Sequence, residues 1–205
     1  MEHTTESTLS LSDFQRRNRL TYERQNNLYY PTQRLFLRLN KFVAQLLRDN
    51  RTGNIQFSPY HLSMAFSWLL ALVNRLGIDN FEFAVHTQFG WCQSMTLTDI
   101  QRMCAPIYTK NALEGSLSYL AEEIGELAQA LDHFLATSDP RILSELTYVL
   151  VNFFTRLMVV ANCLTVDLAS QMEREFPNGH CPKCSKNPKC NKEQCGCDPT
   201  VKYVV

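Results

Sequence analysis

Segments from the first half of this 205-residue chain recur, in the same order, in its second half. Ser10-Leu11-Ser12-Asp13-Phe14-Gln15-Arg16 returns as Thr96-Leu97-Thr98-Asp99-Ile100-Gln101-Arg102, and Tyr22 falls level with Tyr108. Ala44-Gln45-Leu46-Leu47 matches Ala128-Gln129-Ala130-Leu131. Further on, the segment from Leu72 to Asp79 matches the one from Val160 to Asp167, Asn74 falling on Asn162. The separation stays close to 86 residues, with small gaps. Ordered self-similarity of this kind predicts two copies of one unit, over 10–92 and 96–180, with a different segment, 180–205, after them.

Each copy reads as helical. Leu35, Leu39, Phe42, Val43, Leu46 and Leu47 recur at helical spacing, as do Leu62, Phe66, Leu69, Leu70, Val73 and Leu76. Leu117, Leu120, Ile124, Leu127 and Leu131 repeat the pattern. The run from Ile142 to Leu168 holds no Gly or Pro and is too long for a strand, which predicts one long buried helix. Asp13 and Asp99 fall where helix N-caps belong. The stretches 49–58 and 136–140 carry the residues that break helices. The expected fold is all-α: a bundle of two helical hairpins, each preceded by a shorter helix.

Formal net charge is zero, which argues against a general nucleic-acid or membrane-surface binder, since both need a basic excess. The most apolar stretch, Tyr148 to Leu168, is interrupted by Asn152, Arg156 and Asn162, so no membrane span is expected. Met1 to Ser12 shows no basic-then-apolar signal pattern, and a cytoplasmic protein is expected.

The residues richest in chemistry are Leu120-Ala121-Glu122-Glu123-Ile124-Gly125-Glu126-Leu127-Ala128. Glu123 and Glu126, at i,i+3, share a helix face flanked by Leu120 and Leu127. Carboxylates turned toward a bundle interior repel one another and lose hydration, which a cation between them relieves. Glu145 on a second helix would add an oxygen ligand. Mg²⁺ (or Mn²⁺) suits hard oxygens and bridges substrate phosphates. A solvated acidic helix face is the plainer alternative.

The Glu-Glu-x-Gly-Glu-Leu-Ala run, a second helix bearing acidic positions, and the ending Val160-Ala161-Asn162-Cys163-Leu164-Thr165-Val166-Asp167 together resemble the MazG-type all-α nucleoside triphosphate pyrophosphohydrolases. The resemblance covers most of 96–180 and, more weakly, 10–92. It implies metal roles for Glu123 and Glu126, joined by a Glu and an Asp of the partner helix. It also implies Mg²⁺-activated water that cleaves a nucleoside triphosphate to monophosphate and pyrophosphate, with Glu122 or a neighbouring carboxylate as base. The partner helix departs from the pattern in either of two registers. One sets Glu145 and Tyr148 at the motif positions, the other Val149 and Asn152, and both lack the Asp. Phosphate contacts are expected from Lys110, Asn152 or Arg156. In the first copy Leu39 and Phe42 fall level with the first-helix carboxylates, and His61 and Met64 with the second-helix pair. None of this favours a metal, so that copy is expected to be a scaffold and His61 a packed or surface histidine. The family's habit of dimerising suggests that the fused copies form an internal pseudo-dimer.

The tail begins His180-Cys181-Pro182-Lys183-Cys184 and continues through Cys190, Cys195 and Cys197. Thiolates gathered this closely, in a segment with few apolar residues, predict a zinc-knuckle-like tail. Cys181, Cys184, Cys190 and either Cys195 or Cys197 would ligate Zn²⁺, with His180 as a substitute. Two functions are expected: a Mg²⁺-dependent pyrophosphohydrolase, or a degenerate relative that binds nucleotide or serves as a structural or interaction subunit. A homo-oligomer or a protein partner is compatible with both.

Overall fold

Two reciprocal pairs of hydrogen bonds start the helices at positions 11 and 97. Ser10 Oγ accepts from the Asp13 backbone N–H (3.1 Å) while Asp13 Oδ2 accepts from Ser10 N–H (3.2 Å). Thr96 and Asp99 repeat the exchange at 3.1 and 3.0 Å. The caps are therefore Ser10 and Thr96, and the aspartates are their third-residue partners rather than the caps themselves. The Thr96 hydroxyl, donating to Asp99 Oδ2 at 2.6 Å, and then the Thr96 N–H hold the Asp99 carboxyl below the usual carboxylate range. An antiparallel bridge joins Ser10 to Thr96, and Leu97 N–H donates to the Leu9 carbonyl (2.9 Å). The two helix starts lie side by side.

The computed structural model describes residues 7–91, 95–107 and 113–177, and every regular element among them is helical. In order they are α1 (Leu11–Tyr29), α2 (Thr32–Thr52), α3 (Ser58–Arg75), α4 (Phe81–Phe89), α5 (Leu97–Ile107), α6 (Leu113–Thr137), α7 (Pro140–Cys163) and α8 (Leu168–Glu175), with a single 3₁₀ turn at Ile55–Phe57. The hairpins α2–α3 and α6–α7 pack tightly, α1 lies on α3, and α5 lies on α7. The expected all-α architecture is present. The cysteine-rich tail and Lys110 lie outside the described residues.

The long helix expected over 142–168 stops at Cys163. Thr165 adopts a left-handed backbone (φ 54°), its N–H bonds the Asn162 carbonyl, and Val166 N–H bonds the Ala161 carbonyl. Gly77, Asn74, Ile78 and Val73 make the same closure after α3. A buried glutamine reinforces each stop. Gln15 Nε2 donates to Asn74 Oδ1 (3.1 Å) and the Ile78 carbonyl (2.7 Å), and Gln101 Nε2 donates to Asn162 Oδ1 (3.0 Å) and the Val166 carbonyl (2.7 Å). Asp167 then caps α8, accepting from Ser170 N–H, and also takes the Thr98 hydroxyl at 2.8 Å. Thus Asn162 and Asp167 both have folding roles here.

The short helices α4 and α8 were not expected, and they cross over. α4 packs on α7 of the other half, and α8 packs on α3. Phe154 of α7 meets Phe66 of α3 (6.1 Å between ring centroids) and Phe81 of α4 (5.8 Å). One core therefore runs through both halves. Among the described residues α7 is long and apolar enough to span a membrane, but most of it is buried in protein, as suits a central core helix.

Candidate functional site

Burial along α6 follows Leu117, Leu120, Ile124, Leu127 and Leu131, one face of the helix. Glu123 sits at the edge of that face with its side chain 14% exposed, whereas Glu122 and Glu126 are exposed. The partner of Glu123 is Arg156 of α7: Nε donates to Oε1 at 3.4 Å, and the guanidinium lies 4.8 Å from the ring centre of Tyr119, one helical turn before Glu123. Glu123 Oε2 is buried without a hydrogen-bond partner. Burial pushes the Glu123 carboxyl above the usual glutamate value, the Arg156 hydrogen bond opposes it, and the charges of Glu126 and Glu122 add to it.

About two turns of α7 carry the other candidates. Asn152, half-buried, accepts from Gln88 Nε2 of α4 at 2.5 Å. Val149 is half-buried, Tyr148 is 57% exposed, and Glu145 is exposed beside Arg141. The structure brings Glu123 and Arg156 together and leaves Glu126 and Glu145 in solvent.

Burial also bears on the two registers. Leu62, Phe66, Leu69 and Val73 of α3 have the same spacing as Leu150, Phe154, Leu157 and Ala161 of α7, which sets His61 opposite Val149 and Met64 opposite Asn152. On the first hairpin helix, buried Leu35, Leu39, Phe42 and Leu46 share the spacing of Leu120, Ile124, Leu127 and Leu131. The residues level with Glu123 and Glu126 are then Arg38 and Lys41. That is one place from the Leu39 and Phe42 given by sequence matching, both of which are core residues. His61 is packed, as expected: its Nδ1 lies 2.5 Å from Oδ2 of Asp49, itself only 2% exposed, with Ser58 Oγ a further 3.4 Å donor.

Sequence reading missed the Asp49–His61 pair, Gln88 as the partner of Asn152, and the role of Arg156, named as a phosphate contact and found bonded to a carboxylate. Arg156 lies one turn beyond Asn152, a spacing that could have flagged it as facing α6.

Does this arrangement suit Mg²⁺? Among the described residues no three His, Cys, Asp or Glu side chains converge to hold a metal ion. One unpartnered oxygen, Glu123 Oε2, is available, but the nearest cation-bearing group is a guanidinium on the same carboxylate. As placed, these residues do not form a Mg²⁺ cage. The pair acts instead as a part-buried ion pair, in which each charge offsets the lost hydration of the other.

A pH dependence follows. With its folded-state pKa raised, Glu123 disfavours folding while ionised. Its contribution therefore becomes more favourable as pH falls from above the folded-state value toward the unfolded one, and is flat below that. Glu123→Gln should accordingly gain stability relative to wild type at about pH 7 and lose that advantage near pH 4. Melting temperatures of both proteins across that range check it. A Gln variant that is less stable at neutral pH would show that the Arg156 bond outweighs burial.

No protein-family model, curated protein or solved structure matches the chain.

Proposed function

We propose that the protein is a catalytically silent MazG-like subunit, two related four-helix halves folded into an internal pseudo-dimer that serves as an interaction module. The observation that carries this reading is the Glu123–Arg156 bond, which puts a fixed guanidinium on the carboxylate that a metal would need. A nearby positive charge lowers the affinity of a carboxylate for a second cation. The exposed positions of Glu126 and Glu145 point the same way, since among the described residues no three such side chains gather to hold a metal ion. The pseudo-dimer is supported by the matched closures at Gln15–Asn74 and Gln101–Asn162 and by the exchange of α4 and α8 between halves.

Incubating the full chain with a panel of nucleoside triphosphates and Mg²⁺ or Mn²⁺ should release no pyrophosphate above the uncatalysed background. Calorimetric titration with Mg²⁺ and nucleotide should show no metal-dependent binding. The second reading, a pyrophosphohydrolase, is favoured by the buried, unpartnered Glu123 Oε2, an oxygen a metal would take. Turnover that disappears in both Glu123→Gln and Glu126→Gln, with the fold kept, would establish it and overturn the first.

For the tail, Zn²⁺ held by Cys181, Cys184, Cys190 and either Cys195 or Cys197 fits the chemistry of closely spaced thiolates. Elemental analysis of the purified chain should find about one equivalent of zinc. Less than about half an equivalent would count against a structural zinc.

A further inference from the structure

The two helical hairpins close differently. α6 ends at Thr137 and α7 begins at Pro140, so two residues make that turn. Between α2 and α3 the connection takes five, 53–57, the last three of them in the 3₁₀ turn. Closing a hairpin of this kind therefore does not require the longer loop. Every residue from Arg51 to Phe57 is exposed, so the loop stands out from the bundle as a tip.

Its side chains are not those of a solvated loop. Ile55 is 53% exposed, Phe57 is 55% exposed, and Tyr60, in the first turn of α3, is 40% exposed. Single exposed apolar residues are ordinary. Here, however, three of the nine large ones among the described residues fall within six positions, and the α6–α7 turn exposes none. Clustering of that kind marks an interaction surface. Positive charge accompanies it. Arg48 and Arg51, near the end of α2, are exposed, and the sole acid in 48–60 is Asp49, buried against His61. The whole chain has no net charge, yet its tip is cationic. Burial, and then the charge of Glu175 on α8, push the Tyr60 phenol above its usual value and keep it neutral. A neutral phenol suits a boundary between water and an apolar phase.

We infer that the tip docks the chain on an anionic lipid bilayer, with Ile55 and Phe57 entering the acyl boundary while Arg48 and Arg51 meet lipid phosphates. Shape favours lipid over protein. A protruding tip encloses nothing, so a protein would have to bring a matching cavity, whereas acyl chains close round whatever enters them. The inference goes beyond the reading of the Glu123 site and does not depend on it.

The full chain should float with vesicles of phosphatidylcholine containing about 30% phosphatidylserine, and bind pure phosphatidylcholine vesicles at least about tenfold more weakly. Lys183, Lys186, Lys189 and Lys192 also attract anionic lipid, so variants at the tip decide the matter. Ile55→Ser/Phe57→Ser and Arg48→Glu/Arg51→Glu should each weaken binding at least about tenfold, with wild-type helical circular dichroism. Leu20→Ser removes an equally exposed apolar side chain from α1 and should bind as the wild type does. With Phe57→benzoylphenylalanine, illumination in a cell extract containing the vesicles should attach lipid. A wild-type chain that does not float overturns the inference, as does flotation that survives either tip variant, or a loss as large in Leu20→Ser. Photo-attachment at position 57 to a discrete protein in place of lipid also overturns it, in favour of a protein partner.

Discussion

Phe154→Ala is expected to cost about 3–5 kcal/mol, the range for truncating a fully buried aromatic side chain. Phe154 is 0% exposed and sits where the halves meet, touching Phe66 of α3 and Phe81 of α4. Neither neighbour can follow the missing ring. Phe66 is also held against Phe14 of α1 (6.2 Å), and Phe81 opens a helix fixed on α7. The cavity therefore stays open, and the loss should lie at the upper end. Set against total stabilities of about 5–15 kcal/mol, this leaves a marginal protein. Urea unfolding of the variant, read by circular dichroism and by the fluorescence of Trp68 and Trp91, measures the change. Because one core serves both halves, the two signals should shift together. A loss under about 1 kcal/mol, or two separated transitions, would mean that the halves do not share a core. Tyr148→Ala, on the same helix but more than half exposed, is the control and should change stability little.

The second large effect is expected at His61. Its ring fills space beside Phe42 and Tyr60, and its Nδ1 partners the buried Asp49 carboxylate at 2.5 Å. His61→Ala leaves that carboxylate in the interior with the Ser58 hydroxyl at 3.4 Å as its side-chain donor. Stranding a buried charge typically costs about 3–5 kcal/mol. Asp49→Asn, which keeps a polar group of the same shape without the charge, should cost only about 1–2 kcal/mol. In the double variant Asp49→Asn/His61→Ala the two losses should not add, since no stranded charge remains. Equal losses in His61→Ala and the double variant would show that the effect is packing of the imidazole, with the charge playing no part.

Periodicity made the hairpins legible because their buried faces are long and regular, as Leu35, Leu39, Phe42 and Leu46 show on α2. The residues singled out by self-matching, Asn74 and Asn162 with Gln15 and Gln101, turn out to make the same side-chain-to-backbone bonds at the ends of α3 and α7. The end of α7 was not legible, because Thr165 takes a left-handed conformation that its type disfavours, and the side chain that reinforces the closure, Gln101, is distant in sequence. The short helices α4 and α8 escaped notice because nine and eight residues give too few turns for a period to register.

At the candidate site, sequence located Glu123 on an inward-leaning face of α6. It could not supply the angle at which α7 arrives, and that angle decides whether Glu145 or Arg156 meets the carboxylate. A pattern of acidic residues on one helix specifies only half of such a site. The matching half depends on which turn of the neighbouring helix lies opposite, a quantity fixed by core packing at Leu150, Phe154 and Leu157 rather than by the acidic residues themselves.

The crossing of α4 and α8 has a consequence for synthesis on the ribosome. α1 and α2 cover α3 early, but the part of α3 that packs on α8, among the last described residues, has no intrachain cover until nearly the whole helical region has emerged. At typical elongation speeds of about 5–20 residues per second, the nascent first half waits several seconds in a sticky, unfinished form. A chaperone that shields emerging apolar helices should therefore raise the soluble yield of this protein more than it would for a chain whose first half closes on itself.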